Sequence, residues 1–421
     1  MTAPKFQPLR SLDEALAELL AHANALLKTD MTEVVSTFDA DRRVLAQNVV
    51  SSINVPGFDN SSMDGYAVQA ADCLQAGAVL KVTQRIAAGH FGATLGTGQA
   101  ARIFTGAPLP DGADAVVMQE DCTDLGDGTV RINTAPQPNQ WIRRAAEDIR
   151  AGNTVLPKGE LLAPASLGLA ASIGLKELTV SRRPRVALFS TGDELVMPGD
   201  VAPQEMPRGA IYNSNRFFLR ALLQRAGCEV TDLGIVPDNR AATIEALQAA
   251  AQNHDLILTS GGVSVGEEDH IKPAVQQLGS LDLWSISMKP GKPFAYGQIH
   301  RTVMADKVHF IGLPGNPVSS FVTFLLLVRP FLAKLQGQSN ITGAMHSVAA
   351  RADFTITRAD KRREFLRAKR NAQGGLDLYP NQSSGVLTSA VWADGLVDNP
   401  AGGTIASGDM VRFVPFADLL A

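Results

Sequence analysis

Between Arg185 and Pro317 the same local pattern occurs five times: a short apolar run ends in a polar turn bearing glycine or proline. Val186 to Ser190, Glu229 to Val236, Leu256 to Thr259, Leu281 to Met288 and Val308 to Leu313 are the runs. They lead into Thr191-Gly192-Asp193-Glu194, Pro237-Asp238, Ser260-Gly261-Gly262-Val263-Ser264-Val265-Gly266-Glu267-Glu268-Asp269, Lys289-Pro290-Gly291-Lys292-Pro293 and Pro314-Gly315-Asn316-Pro317. Helical patterns separate the runs. Asn215 can cap a helix that places Phe218, Leu219, Leu222, Leu223 and Ala226 on one face, and Ala241 to Asn253 forms a second. Such alternation predicts a doubly wound α/β domain, a parallel sheet covered on both sides that binds ligands at the C-terminal ends of its strands. The five turns then converge on one crevice. At its centre, the adjacent Gly261 and Gly262 turn the backbone sharply and expose N–H groups, as a phosphate cradle requires.

The chemistry is narrowed by what the sequence lacks. No histidines show metal-ligand spacing, and no Gly-x-Ser-x-Gly elbow, Cys-His pair, Walker A or Gly-x-Gly-x-x-Gly motif occurs, which disfavours covalent and redox catalysis. What remains is oxyanions held by backbone amides and by Lys289 and Lys292, beside the carboxylates Glu194, Asp238 and Asp269. Two like charges 4 Å apart repel by about 4 kcal/mol at an effective dielectric of 20. A divalent cation on Glu194, Asp238 and Asp269 relieves this, and Mg²⁺ does so with few carboxylates plus waters and phosphates.

At 421 residues the chain exceeds one ordinary core. A hydrophobic fraction of 45% and net charge of −4 give the composition of a soluble globular protein, with no bulk charge calling for nucleic acid or an anionic membrane. No membrane span or secretory signal is readable, and Cys73, Cys122 and Cys228 are widely spaced, which fits a reducing cytoplasm. Ser11 and Glu14 form a capping box for a first helix running on through Leu27, and a short second helix is expected after Ala40. Residues 56–142 are rich in glycine, proline and β-branched runs such as Val79 to Val82 and Ala115 to Met118, and read as a small β domain. It is inserted in an elongated domain built from residues 9–55 and 143–181, which includes a helix over Pro164 to Ile173. The α/β domain covers 182–335, with a closing helix from Val318 to Leu335. Residues 336–421 read as a β-barrel with strands over Ala352 to Thr357, Glu364 to Arg370, Leu376 to Leu378 and Met410 to Pro415. Seven basic residues between Arg358 and Arg370 could mark a nucleic-acid patch. Phe365, Leu366 and Ala368 among the charges instead fit a strand with one solvated face, and no stacking aromatic or readout motif accompanies them.

Asp64, in Pro56-Gly57-Phe58-Asp59-Asn60-Ser61-Ser62-Met63-Asp64-Gly65-Tyr66-Ala67, can cap a turn or take part in metal or phosphate chemistry. Thr105 in Phe104-Thr105-Gly106-Ala107-Pro108 can hold a ligand or close a hairpin. Arg143-Arg144-Ala145-Ala146-Glu147-Asp148-Ile149 is a solvated loop or a signature.

Together with Ser-Thr-Gly-Asp-Glu-Leu (190–195), Ser-Gly-Gly-Val-Ser-Val-Gly (260–266), Lys-Pro-Gly-Lys-Pro (289–293) and Leu-Pro-Gly-Asn-Pro-Val-Ser (313–319), these stretches make the chain resemble the molybdopterin molybdenumtransferase family, that of MoeA and the gephyrin E domain. The order and spacing agree over essentially the full length. Ser62, Ala146 and Asn213 depart from the family's usual alanine, glycine and aspartate. The resemblance implies an enzyme that inserts molybdate into adenylated molybdopterin and releases AMP, with Asp64, Thr105, Glu147 and Asp148 joining Glu194, Asp238 and Asp269 in catalysis. It implies a homodimer in which Asp64 and Thr105 face the partner's crevice, and contact with other molybdenum cofactor biosynthesis proteins. The α/β domain alone also resembles molybdopterin adenylyltransferase, and gephyrin uses the fold as a scaffold. The motifs around Asp64 and Glu147 argue against the first, and the lack of a preceding adenylyltransferase domain or long linker against the second.

Overall fold

The computed structural model describes residues 9–23, 31–262, 270–301, 306–339, 341 and 345–420. Two compact units result: Met1–Glu33, Arg42–Ala46 and Val180–Ala421 form one, Val34–Asp41 and Gln47–Thr179 the other.

The larger unit starts with α1 (Leu12–His22), whose Ser11 cap closes as expected, with Glu14 N donating to Ser11 Oγ at 3.2 Å and Ser11 N to Glu14 Oε2 at 2.9 Å. The continuation to Leu27 lies outside the described residues. No helix follows Ala40. Arg42 adopts a left-handed φ of 58°, and Leu45 bridges to Val180.

The central sheet comprises β1 (Arg185–Thr191), β2 (Glu229–Val236), β3 (Leu256–Ser260), β4 (Gly279–Ser285), β5 (Pro293–His300) and β6 (Lys307–Leu313), with α2 (Ser214–Arg225), α3 (Arg240–Asn253), α4 (Ile271–Leu278) and α5 (Pro317–Leu335) packed on it. Strand order is β2-β1-β3-β6-β5-β4. It is mixed rather than all parallel: β5 runs antiparallel to both neighbours, and the other five point one way. Side chains alternate between two cores. Val186 and Leu188 join α1, α2 and α5, while Ala187 and Phe189 join α3 and α4. Burial on both faces explains why β1, β3 and β6 read as continuous apolar runs, whereas the edge strand β2 is largely exposed or half-buried. Among the described residues, α5 is long and apolar enough to cross a membrane, with a mean hydropathy of 1.6, yet 72% of that stretch is buried in the protein.

The C-terminal sheet contains β7 (Val348–Arg351), β8 (Arg363–Arg370), β9 (Leu376–Leu378), β10 (Gly395–Asn399) and β11 (Met410–Pro415), with α6 (Leu387–Trp392) against it. Ala352 to Thr357 is not a strand; Ala352 and Ile356 make isolated bridges. The solvated face expected for β8 is also absent. Glu364 and Arg367 are buried with their apolar neighbours. Phe365, Leu396 and Val414 enter the same cluster as α1, α2 and α5.

That cluster contains an acid-sensitive contact. His309 Nδ1 lies 2.9 Å from Tyr296 Oη, and His22 stacks on the Tyr296 ring at 4.6 Å. Burial, then the nearby His22, pushes the His309 pKa from 6.5 down to about 4. The unfolded chain takes up this proton below pH 6.5 and the folded one does not until about pH 4, so stability is lost as pH falls through that window. Between pH 7.5 and 4.5 the loss is roughly 2.5 kcal/mol at 1.36 kcal/mol per pKa unit. Urea midpoints should therefore fall less for His309→Gln than for the parent; equal falls would contradict this assignment.

In the smaller unit a six-stranded sheet runs in the order Ala115–Met118, Gly65–Val68, Gln99–Ile103, Ala78–Ile86, Thr129–Ile132, Cys122–Asp124. Tyr66, Val68, Leu80 and Val117 fill one face, and Ala67, Ile86, Ala101 and Val116 the other. Short pairs outside it join Val49–Val50 to Thr154–Leu156 and Asn60–Ser61 to Ile142–Arg143.

Candidate active site

Beyond the C-terminal ends of β1, β3 and β6 lies a cavity of about 770 Å³. It sits where the chain leaves β1 outward to β2 and returns on the other side to β3, the switch point where a doubly wound sheet opens. Thr191, Gly192, Ser260, Gly261, Gly262, Pro314, Gly315 and Asn316 line it, with Glu194, Asp238 and Pro293. Gly192 has φ of 141°, and a Cβ there would lie 2.5 Å from Glu194 Oε2, so the glycine leaves room for that carboxylate. Gly261 and Gly262 are also left-handed, at 92° and 67°. Asp193 is exposed and lies off the lining. Val263, Ser264 and Asp269 lie outside the described residues.

The cap expected of Asn215 is made by Asn213 instead. Asn213 caps α2, its Oδ1 accepting from Arg216 N at 3.3 Å. Asn215 lies in the first turn, where its Nδ2 donates to Ser260 Oγ at 2.8 Å and to Gly315 O at 2.7 Å. It thereby clamps the turns after β3 and β6 to the start of α2. Two asparagines this close in sequence look equivalent until their distant partners are known.

Among the described residues no Lys, Arg or His lines this cavity, whereas Glu194 and Asp238 do. No cluster of three or more His, Cys, Asp or Glu side chains able to hold a metal occurs among them. Two carboxylates with hydroxyl and backbone oxygens are a hard, sparse donor set. They fit Mg²⁺ that keeps waters and draws further oxygens from a bound phosphate.

The lysines lie elsewhere. Lys289 and Lys292 line a second cavity of about 930 Å³ with Arg358, Lys361, Arg362, Asp360 and Glu364. Met288–Lys289 pairs in parallel with Arg363 and Glu364 of β8, and this pairing brings the basic stretch after residue 357 beside Lys289. Lys289 Nζ donates to Glu364 Oε1 at 2.9 Å and to Asp360 Oδ2 at 3.4 Å, and the hydrogen bond it gives Glu364 foremost raises its pKa. Arg362 holds the Asp360 carboxyl far below the usual range. Lys292 is exposed, and its ammonium has no partner among the described residues. Pro290 and Gly291 are buried beneath the loop; a Cβ on Gly291 would meet Thr323 Oγ1 at 2.4 Å. Five cationic side chains against two carboxylates make this groove attractive to anions.

In the smaller unit, Asp64 Oδ1 accepts from both the backbone N–H and the hydroxyl of Thr105, each at 2.8 Å. The backbone bond, then the hydroxyl, lowers the Asp64 pKa and keeps the carboxylate charged. Arg102 donates to Gly65 O at 2.7 Å and lies over the Tyr66 and Phe104 rings. Glu147 and Asp148 are exposed. Glu147 Oε2 accepts from Arg144 N at 3.1 Å, and Asp59, which the sequence did not single out, binds both Arg144 and Ala145 N. Ala146 adopts a left-handed φ of 61°. That conformation costs an L-residue about 1–2 kcal/mol, so Ala146→Gly should stabilise this unit by about 1 kcal/mol net of glycine's greater unfolded freedom. A lower thermal midpoint in Ala146→Gly would refute the strain.

Residues 10–174 match the profile of the MoeA N-terminal region (domain I and II), 187–334 that of a probable molybdopterin binding domain, and 349–416 that of the MoeA C-terminal region (domain IV). A molybdopterin molybdenumtransferase of Haemophilus influenzae is 41% identical over 419 residues, spanning 97% of this chain and 99% of the relative. The chain belongs to the MoeA family. Another member, molybdopterin molybdenumtransferase 2 of Mycobacterium tuberculosis, is 38% identical over 85% of this chain and 88% of its own. A crystal structure of the MoeA protein of Pyrococcus horikoshii superposes with a TM-score of 0.82 at 28% identity, covering 97% of this chain and 100% of that one.

Proposed function

We propose that this chain is a molybdopterin molybdenumtransferase, which inserts molybdate into adenylated molybdopterin with release of AMP. The observation that carries the reading is the separation of two cavities in one unit: a crevice whose described lining bears carboxylates and no cationic side chain, and a cation-rich groove. The pyrophosphate belongs in the crevice, on the backbone N–H groups around Gly192 and Gly262 and on Ser260, while the Gly261 N–H is held by Leu313 O at 3.0 Å and Gly261 supplies the turn. Glu194 and Asp238, with Asp269, hold Mg²⁺, which when bound offsets the charge developing on the departing AMP phosphate. Lys292, with Lys289, draws molybdate into the groove. Asp64, Thr105, Glu147 and Asp148 serve the crevice of a second copy in a homodimer. The free cysteines suit the cytoplasm, and other molybdenum cofactor biosynthesis proteins deliver and receive the pterin. The finer architecture goes with this reading: an inserted β domain at 56–142 within an elongated domain, and a C-terminal barrel.

The test is AMP release from adenylated molybdopterin against a molybdate titration, with and without Mg²⁺. No molybdate-stimulated release would reject the proposal. Lys292→Ala should raise the half-saturating molybdate concentration about tenfold, the equivalent of ~1.4 kcal/mol, without lowering the unfolding midpoint. Lys289→Ala should raise it too and also destabilise the fold, because it strips the buried Glu364 of its nearest cation. An unchanged molybdate requirement in both variants would remove the lysines from this role.

A further inference from the structure

Arg367 has the largest of the fully buried side chains, at 1% exposure. It lies opposite Leu396 on the adjacent strand, two residues from Phe365 and so on the same face of β8. No carboxylate pairs with it among the described residues. Its guanidinium donates to neutral oxygens: Nη1 to Phe365 O at 3.2 Å, Nη2 to Ser383 O at 3.3 Å and Nε to Ser389 Oγ at 3.1 Å. Burial pushes its pKa down to about 10. A buried charge without a counter-ion is costly, and an apolar side chain of similar volume would serve packing as well or better. Packing therefore does not account for the guanidinium.

Nη1 stays on β8 itself, while Nη2 reaches segment 382–386 directly at Ser383 and Nε reaches it through Ser389. Ser389 Oγ passes the connection on to Val386 O at 2.6 Å, and the Arg367 backbone exchanges bonds with the Gln382 amide, N to Oε1 at 2.9 Å and Nε2 to O at 3.1 Å. Segment 382–386 is thus tied to β8 along its length. Its other side is fixed to the start of α5, where Val318 N donates to Ser384 O at 2.9 Å. Gly385 lines the crevice and Gln382 lines the basic groove. The segment therefore borders both cavities.

We propose that Arg367 is a positioning residue, whose buried fork holds segment 382–386 as the shared wall between the crevice and the groove and so sets the relative placement of the two reactants. This rests on the reading of the crevice and groove as the pyrophosphate and molybdate sites. Arginine suits the task because its planar donors reach several acceptors from one fixed plane, which neither lysine nor methionine can do.

The experiment uses full-length Arg367→Met and Arg367→Lys. In Arg367→Met, hydrogen exchange of the 382–389 amides and of Val318 should rise at least about tenfold, while β10 and β11 exchange as before and the urea midpoint is unchanged or higher. kcat for molybdate-dependent AMP release should fall roughly a hundredfold, the scale of a small misplacement of reactants, with half-saturating molybdate moved less than about twofold. Arg367→Lys should restore neither exchange protection nor kcat. Should Arg367→Met not fold, Arg367→Gln, which keeps amide donors, is measured instead with the same expectations. Unchanged exchange in the segment overturns the positioning role whatever the activity does. Faster exchange with full kcat overturns its relevance to transfer. An inactive parent protein would sink the proposed reaction, and the exchange comparison would still decide whether Arg367 holds the wall.

Discussion

Asp238→Asn is expected to lower molybdate-stimulated AMP release roughly a hundred- to thousandfold, the scale of losing a group that stabilises charge in the transition state, while the unfolding midpoint stays near that of the parent. The substitution keeps the shape and one carbonyl oxygen and removes the charge. Its sign is informative because the crevice lining carries Glu194 and Asp238 and no cationic side chain among the described residues. If Asp238 merely bordered the cavity, deleting its charge would reduce repulsion of a pyrophosphate, by as much as about 4 kcal/mol for charges 4 Å apart at a dielectric of 20, and substrate would bind more tightly. If Asp238 acts through Mg²⁺, the same deletion weakens the cation's hold, and the Mg²⁺ concentration needed for residual activity rises. Tighter substrate binding with undiminished AMP release would assign Asp238 to the bystander role.

Mixing Asp64→Ala with Asp238→Asn should recover activity that neither has alone. When the site is completed by the partner's Asp64, each mixed dimer contains one intact site and one doubly damaged site. Random exchange makes half of the dimers mixed, so recovery approaches roughly a quarter of the parent's activity in a twofold dimer. If Asp64 serves its own chain's crevice, both sites of the mixed dimer are damaged and nothing returns. The measurement is AMP release before and after subunit exchange, with exchange itself followed by mass spectrometry of differently tagged copies. No recovery after complete exchange would refute the shared site. Asp64 suits such a role chemically, since the two bonds from Thr105 fix a charged carboxylate on an exposed turn.

The sequence revealed local features and hid those that depend on distant partners. Five of the six strands of the central sheet were readable, β1, β3 and β6 because burial on both faces makes their apolar runs continuous, whereas β5 (Pro293–His300) went unread behind the prolines and glycine that open it; Ser11 with Glu14 announced α1 because a capping box needs no tertiary partner. The turns after β1 and β3 were legible for the same reason: Gly192, Gly261 and Gly262 take positive φ that glycine supplies locally. Asn215 was misread as a cap because its true acceptors, on Ser260 and Gly315, lie 45 and 100 residues away. Glu364 and Arg367 were misread as a solvated face because the groups that receive them, Lys289 and segment 382–389, come from other parts of the chain. The strand Gly395–Asn399 went unnoticed because Asp398 and Asn399 look like turn residues, although Asp398 is buried against Arg363 at 2.6 Å. The division of the candidate site into crevice and groove was likewise hidden, since it follows from Lys289 pairing with Glu364.

One apolar cluster runs without interruption from the central sheet through α5 to Phe365, Leu396 and Val414 of the C-terminal sheet. Two layers that share a close-packed interior do not hinge, because bending them apart would open voids that cost contacts on every side. The crevice belongs to one layer and much of the groove to the other, so this interior acts as a fixed ruler between them. A ligand arriving in either cavity meets two sheets whose spacing is already set by packing, so that only the wall between the cavities depends on Arg367, and none of the ligand's binding energy is needed to draw the two sheets together.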